Sequence, residues 1–236
     1  MIKAIVFDFV QTLGTASDGY KAAEKKAQKK LFEKIGINSS CWDEYIDLYR
    51  KERKEHFERS DFSRKNVWLK LCSSFDAPVD LNFLMQLEDE YWETVRKSMR
   101  LFPETLTVLK KLKENHKLGM VSNSQKDGST KALDNSEYRK LELLFDAIVI
   151  AGEKGIPAKP DPLPFNLIIE KLGVKKDETV FVGDDLRVDI EGSKNAGLVP
   201  VWLKHYSVER NWPLASFPVP VIKQLDDLYK LDNILK

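Results

Sequence analysis

Asp8 ends a short apolar run, Ser122 and Asn123 end another, Lys159 follows a third, and Gly183-Asp184-Asp185 ends a fourth, with Asp189 a few residues on. Together these residues supply carboxylates, one lysine, a hydroxyl and a carboxamide. Carboxylates gathered at one place repel one another, and unpaired buried charge is costly, so a bound cation or a lysine must offset them. Oxygen-only ligands, mostly carboxylate, suit Mg2+ rather than zinc. A lysine beside small hydroxyl and amide donors suits a phosphate group. Each residue also has a plainer role when taken alone. Asp8 could cap a turn, Ser122-Asn123 could be a turn, and Lys159 could be a solvated surface lysine. Asp185 and Asp189 are acids of the kind a helix dipole favours in its first turn. Asp161 is expected to be a helix N-cap, and Gly183 to permit a tight turn near the phosphate.

The elements between these residues decide whether they meet. Residues 2–7 are apolar and β-branched and predict a buried strand. From about Gly19 to Met99 the period changes to that of helices: Tyr20, Ala23, Ala27, Leu31; then Trp42, Tyr45, Ile46, Tyr49; then Val67, Trp68, Leu71, Cys72; then Leu84, Leu87, Tyr91, Val95. Four amphipathic helices bury such faces as a small bundle. Beyond Leu101 strands and helices alternate. Strands are expected at Lys117–Ser122, Ala147–Ala151, Thr179–Gly183 and Val199–Leu203. Helices are expected from Pro103 to about Asn115, from Gly128 to Leu144, after Asp161-Pro162 and closed by Gly173, over Asp189–Ala196 and over Leu225–Leu235. Repeated strand–helix units imply an α/β fold, a Rossmann-like parallel sheet with helices on both faces. The expected domains are a core, residues 1–16 and 100–236, and an all-helical cap, residues 17–99. Ligands of such sheets bind beyond the carboxyl ends of the strands, which is where the reactive residues fall. The helical insert is then a lid on that end.

Four segments taken in order carry a family resemblance. Phe7-Asp8-Phe9-Val10-Gln11-Thr12-Leu13 is similar to the first motif of the haloacid dehalogenase superfamily, and Val121-Ser122-Asn123 resembles its second. Lys159-Pro160-Asp161-Pro162 resembles its third, and Gly183-Asp184-Asp185-Leu186-Arg187-Val188-Asp189 its fourth. The helical insert sits where that family places its cap. The resemblance implies a magnesium-dependent phosphatase in which Asp8 attacks phosphorus and forms an aspartyl-phosphate, splitting one displacement into two. It implies that Ser122 and Asn123 hold phosphoryl oxygens and that Lys159 neutralises charge on Asp8 and the phosphoryl group. Asp184 would bind magnesium together with Asp8 and the backbone carbonyl of Val10, and Asp185 and Asp189 would be further ligands or supports.

The first motif departs from the family at two positions. The family's phosphatases carry a second aspartate two residues after the nucleophile, which protonates the leaving alcohol and later activates water. Here that residue is Val10, which does neither. A positioned general acid or base is worth about 10²–10⁴ in rate. The glycine usual at the next position is Gln11. Two other functions therefore stay open: a 2-haloacid dehalogenase, a branch that also lacks the second aspartate, and a binding or regulatory protein of the same fold with weakened turnover. Against the dehalogenase, the fourth motif is of the magnesium type, and the first arginine after Leu13 is Arg50, deep in the expected cap.

Bulk composition narrows the partners. Lys and Arg number 38 and Asp and Glu 37, a balance that favours neither nucleic acid nor an anionic membrane as partner. The expected partner is a small phosphorylated substrate. Cys41 and Cys72 have no metal-type spacing, and the apolar start at Met1–Phe7 is too short for a signal peptide, so a reduced, cytoplasmic protein is expected. His56, His116 and His205 match no motif and are expected to be surface or packing residues.

Overall fold

The computed structural model describes residues 1–123 and 136–230. The chain divides into two compact units, one formed by Met1–Thr15 with the residues from Arg100 onward, the other by Ala16–Met99.

The first unit is built on a six-stranded parallel sheet. Its strands are β1 (Ala4–Phe7), β4 (Lys117–Asn123), β5 (Ala147–Ala151), β6 (Thr179–Gly183), β7 (Val199–Leu203) and β8 (Val221–Ile222). They run in the spatial order β5-β4-β1-β6-β7-β8. The remaining strands, β2 (Gly14–Thr15) and β3 (Arg100–Leu101), form an antiparallel pair where the chain leaves for and returns from the second unit. All four residues of β1, Ala-Ile-Val-Phe, are buried, as expected of a central parallel strand covered on both faces. Register lines up the strand ends. Phe7 pairs with Met120 on one side and Val182 on the other, and the Asp8 amide donates to Val182 O at 2.9 Å. Asp8, Ser122 and Gly183 consequently emerge at one edge.

Helices α5 (Thr105–Lys113), α6 (Ser136–Glu142) and α7 (Pro162–Leu172) belong to this unit. Helix α7 starts as the sequence predicts: Asp161 accepts from the Leu163 amide at 2.8 Å, Pro162 occupies the first turn, and Gly173 closes it at φ 62. Its apolar face, Phe165, Ile168 and Ile169, packs on Val6, Val121 and Phe181 of the sheet. His205 is a packing residue, buried at the end of β7, stacked 3.5 Å from the Phe102 ring and bonded to Glu104 and Ser207.

The structure differs from expectation in three places. The helix expected over Asp189–Ala196 begins earlier, as a π-helical turn Leu186–Glu191 that runs into α8 (Gly192–Asn195). Asp185 sets that start: its Oδ1 accepts from the amides of Arg187 and Val188, and its carbonyl from those of Asp189 and Ile190. The helix expected over Leu225–Leu235 is a 3-10 turn, Leu225–Lys230, with its last residues outside those described. Of the helix expected over Gly128–Leu144, Ser136–Glu142 is helical and the part before Ser136 lies outside the described residues. Strands β2, β3 and β8 have two residues each, too few to show a period.

The second unit is helical: α1 (Ser17–Ile35), α2 (Trp42–Glu58), α3 (Arg64–Ser74) and α4 (Leu81–Ser98), with a 3-10 turn at Ser39–Cys41. The residues at helical spacing are the buried ones, among them Ala23, Leu31, Tyr45, Trp68, Leu71, Leu87 and Tyr91. Ser63 and Asp80 cap α3 and α4 through their side chains. Gly19 lets α1 and α4 cross closely, because a Cβ there would lie 1.9 Å from Ser98 Oγ. Among the described residues no helix is long and apolar enough to cross a membrane.

Candidate active site

Asp8, Ser122, Lys159, Asp184 and Asp189 are all buried, with Lys159 1% exposed. The Lys159 ammonium is the hub. It donates to Asp8 Oδ1 at 2.8 Å, to Asp189 Oδ1 at 2.7 Å and to the Val121 carbonyl at 2.8 Å. An ammonium has three protons, so this set uses all of them. Asn123 fixes the lysine from behind: its Oδ1 accepts from the Lys159 amide at 2.8 Å, and its Nδ2 donates to the Lys159 carbonyl at 3.1 Å. The Asn123 carboxamide thus positions Lys159. Thr12 donates to the free Asp8 oxygen, Oδ2, through a longer bond of 3.3 Å.

The turn after β1 explains the second departure from the family's first motif. Gln11 has φ 69, and its amide donates to Gly14 O at 2.6 Å. The turn needs the left-handed region, which glycine enters without cost. Val10, bridged to Gly14 and partly buried, has no group that carries a proton.

Asp184 and Asp189 meet Asp8, whereas Asp185 does not join them. One carboxylate oxygen from each of Asp8, Asp184 and Asp189 lies within 4.8 Å of the others. Asp185 spends Oδ1 on the turn amides and Oδ2 on Arg210. Asp189 is held by Lys159 and, through Oδ2, by the Asp185 amide at 3.0 Å. Gly183 is small for a reason other than a tight turn: a Cβ there would lie 2.4 Å from the Asp189 Cβ.

Arg210 is the residue sequence reasoning missed. It donates through Nη1 to Asp184 Oδ2 at 2.5 Å and through Nη2 to Asp185 Oδ2 at 2.9 Å. Trp202 adds a bond from its indole nitrogen to the Asp184 carbonyl at 2.8 Å. No motif or period signals Arg210, which lies in an irregular stretch beyond the last long strand.

Four acids thus face two cations. Burial alone would pull the Lys159 ammonium down, but Asp189 and Asp8 outweigh it and hold the ammonium above its usual range. Burial pushes the Asp184 carboxyl well up, with Asp189 and Asp8 adding to the rise and Arg210 opposing it. Asp189 is likewise pushed up by burial, against Lys159 and with Asp8. A divalent cation fits this donor set: the converging atoms are all hard oxygens, and with all four of Asp8, Asp184, Asp185 and Asp189 ionised, Lys159 and Arg210 would leave two negative charges for it to offset.

The family model of haloacid dehalogenase-like hydrolases matches residues 2–197. A glyceraldehyde 3-phosphate phosphatase of Methanopyrus kandleri is 29% identical over 93% of this chain and 91% of its own. The human N-acylneuraminate-9-phosphatase is 25% identical over 93% of this chain and 88% of its own. Among solved structures, a HAD-hydrolase from Bacillus subtilis bound to magnesium superposes with a TM-score of 0.69 over 99% of each chain, at 24% identity, a likeness of fold.

Proposed function

The chain belongs to the haloacid dehalogenase-like hydrolases, and on that premise we propose that it is a magnesium-dependent phosphatase acting on a small phosphorylated metabolite through an aspartyl-phosphate at Asp8. The observation that carries this reading is the buried Lys159 ammonium 2.8 Å from Asp8 Oδ1, with the oxygens of Asp184 and Asp189 converging on the same carboxylate. Relatives with phosphatase names, matched over nearly their whole length, support the reaction class.

Asp8 would use a lone pair of Oδ2 to attack phosphorus as the bond to the leaving oxygen breaks. Water then attacks the aspartyl-phosphate, phosphate departs, and the carboxylate is restored. Lys159 holds the Asp8 carboxylate oriented through its bond to Oδ1. With its three protons already engaged, it acts through its charge, and a donor contact to the phosphoryl oxygens falls to Ser122. Asn123 keeps Lys159 in place. Magnesium, held by Asp8, Asp184 and the Val10 carbonyl, would screen the charge of the phosphoryl group. Asp189 serves as the partner of Lys159, and Asp185 as the organiser of the turn. Residues 17–99 would act as the cap that selects the substrate.

Val10 shapes the kinetics. With no acid two residues after the nucleophile, the leaving group departs unprotonated or takes its proton from solvent. Aryl and acyl phosphates are expected to react far faster than alkyl phosphates, by about 10²–10⁴ beyond their difference in a fully equipped enzyme. The test is a leaving-group series with and without magnesium, with Asp8→Asn as the blank. Loss of at least about 10³ in turnover is expected for Asp8→Asn. Unchanged turnover in that variant would overturn the mechanism, and turnover of 2-chloropropionate without metal would point to the dehalogenase instead.

A further inference from the structure

The two cations of the site are held in unlike ways. Lys159 is sealed in the core, whereas the Arg210 side chain is 33% exposed. Arg210 projects from residues 204–220, where no helix or strand forms, and its guanidinium lies 5.0 Å from the centre of the Trp212 ring. One guanidinium joins two acids of different standing: Asp184, whose oxygen converges with those of Asp8 and Asp189, and Asp185, whose oxygens do not.

We propose that Arg210 is a displaceable internal counter-ion, which neutralises Asp184 until magnesium takes that carboxylate from it while Arg210 keeps its hold on Asp185. The inference rests on the magnesium reading above and extends it to a residue outside the four motifs.

Three observations support the exchange. First, Asp184 Oδ2 already accepts the shorter of the two Arg210 bonds, so a cation drawn to that carboxylate meets a guanidinium on it, and like charges repel strongly in a buried site. Second, Asp185 is fixed by the Arg187 and Val188 amides, so it stays in place as the anchor when Asp184 is given up. Charge then balances: four acids against Lys159, Arg210 and a divalent ion. Third, the segment bearing Arg210 lies outside any helix or strand and the Arg210 side chain is 33% exposed, so the guanidinium can swing away from Asp184 without breaking a helix or ladder. Its backbone is tied by bonds such as Tyr206 N to Lys223 O and Val208 N to His205 O, and Trp212, Ala215, Phe217 and Val219 pack against Leu186, Ile190 and Trp202. Trp212 meets Trp202 edge-on at 6.2 Å, and Trp202 is bonded to Asp184. Metal arrival should therefore be visible in Trp212.

The experiment titrates magnesium chloride into the metal-free full chain by calorimetry and by tryptophan fluorescence. It compares the unmodified protein, Arg210→Gln and Asp184→Asn, with Trp212→Phe to assign the optical signal. Arg210→Gln is expected to bind magnesium about two- to fivefold more tightly, the scale of a partly exposed charge pair. The Trp212 signal of the unmodified protein is expected to vanish in that variant. Equal or weaker binding in Arg210→Gln, or a Trp212 signal that persists there, would overturn the displacement and make Arg210 a fixed support of Asp184. If Arg210→Gln fails to fold by circular dichroism, Arg210→Met, which also removes the charge while keeping an unbranched stem, is read the same way. Absence of any magnesium binding that Asp184→Asn abolishes would overturn the magnesium reading, and the displacement with it.

Discussion

The two ends of the sheet handle charge in opposite ways. At the amino end Lys3, Lys113 and Lys117 stand near the surface, each with its own partner. Lys3 reaches Glu178 at 2.8 Å, Lys113 reaches the Leu144 carbonyl and Asp146, and Lys117 bonds the last carbonyl of α7, Leu172 O, at 2.6 Å. At the carboxyl end one buried lysine is shared by two buried acids, and an arginine one-third exposed serves two more. Water stabilises the charges at the amino end whether or not they pair. At the carboxyl end Asp8, Lys159, Asp184 and Asp189 are buried away from water, so each charge depends on the others. Charge at the first end trims stability by small amounts, while at the second it sets both stability and reactivity.

The largest contrast should come from removing one lysine at each end. Lys159→Met leaves Asp8 and Asp189 buried without their cation, and breaking a buried pair from one side costs about 3–5 kcal/mol. Lys117→Met loses a partly exposed bond to a helix end, worth under about 1 kcal/mol. Urea unfolding of the two variants in EDTA measures both. Equal losses would erase the difference between the ends.

A pH series should give the ends opposite slopes. Burial pushes Asp189 up to about 7, against Lys159 and with Asp8 and Asp185. An ordinary aspartate sits near about 3.9. Between those values the folded state keeps a proton that the unfolded chain releases, so this contribution is full below about 4 and is lost as pH rises through about 7. At the amino end the hydrogen bond from Lys3 pulls Glu178 below its usual range, so its small contribution is present above the ordinary carboxylate range and fades as pH falls. Melting temperatures of the metal-free protein should fall from about pH 5 to about pH 7.5, and Asp189→Asn should flatten that fall. A slope unchanged in Asp189→Asn would assign it elsewhere.

How far the sequence foretold these ends follows from the range over which each feature acts. Strands β5, β6 and β7 are legible to the residue, because a buried parallel strand is a continuous apolar run with a sharp polar boundary. Asp8, Ser122, Lys159 and Asp184 are legible because each sits at or just past such a boundary. Arg210 is not: it is 26 residues from Asp184, in a segment with no period, and only tertiary packing through Trp212 brings it home. Asp185 and Asp189 look equivalent in sequence, and only the π-helical turn separates them, pointing one at amides and the other at Lys159. Gly183 was legible as a glycine that matters, but for the wrong reason. Its lack of a Cβ leaves room for Asp189, so Gly183→Ala should cost about 1–3 kcal/mol through overpacking and should also displace the Lys159 partner. A loss of activity larger than the loss of stability would mark that displacement.

The smallest expected effect lies in the turn after Asp8 and has the opposite sign. Gln11 adopts φ 69, a conformation that costs an L residue roughly 1–2 kcal/mol. Glycine removes that strain but adds freedom to the unfolded chain, a cost of about 0.5–1 kcal/mol. The difference favours Gln11→Gly by about 0–1.5 kcal/mol, read as a higher urea midpoint. At Gly173, where φ is 62, the converse Gly173→Ala should lose a comparable amount. The pair separates backbone strain from side-chain loss, since both positions are left-handed and only one is near the site. Turnover is the second readout for Gln11→Gly. If the side chain only fills the turn, activity stays level while stability rises. A fall in turnover alongside the gain in stability would mean that evolution kept the strained glutamine for chemistry, with its carboxamide orienting the water that Val10 cannot activate.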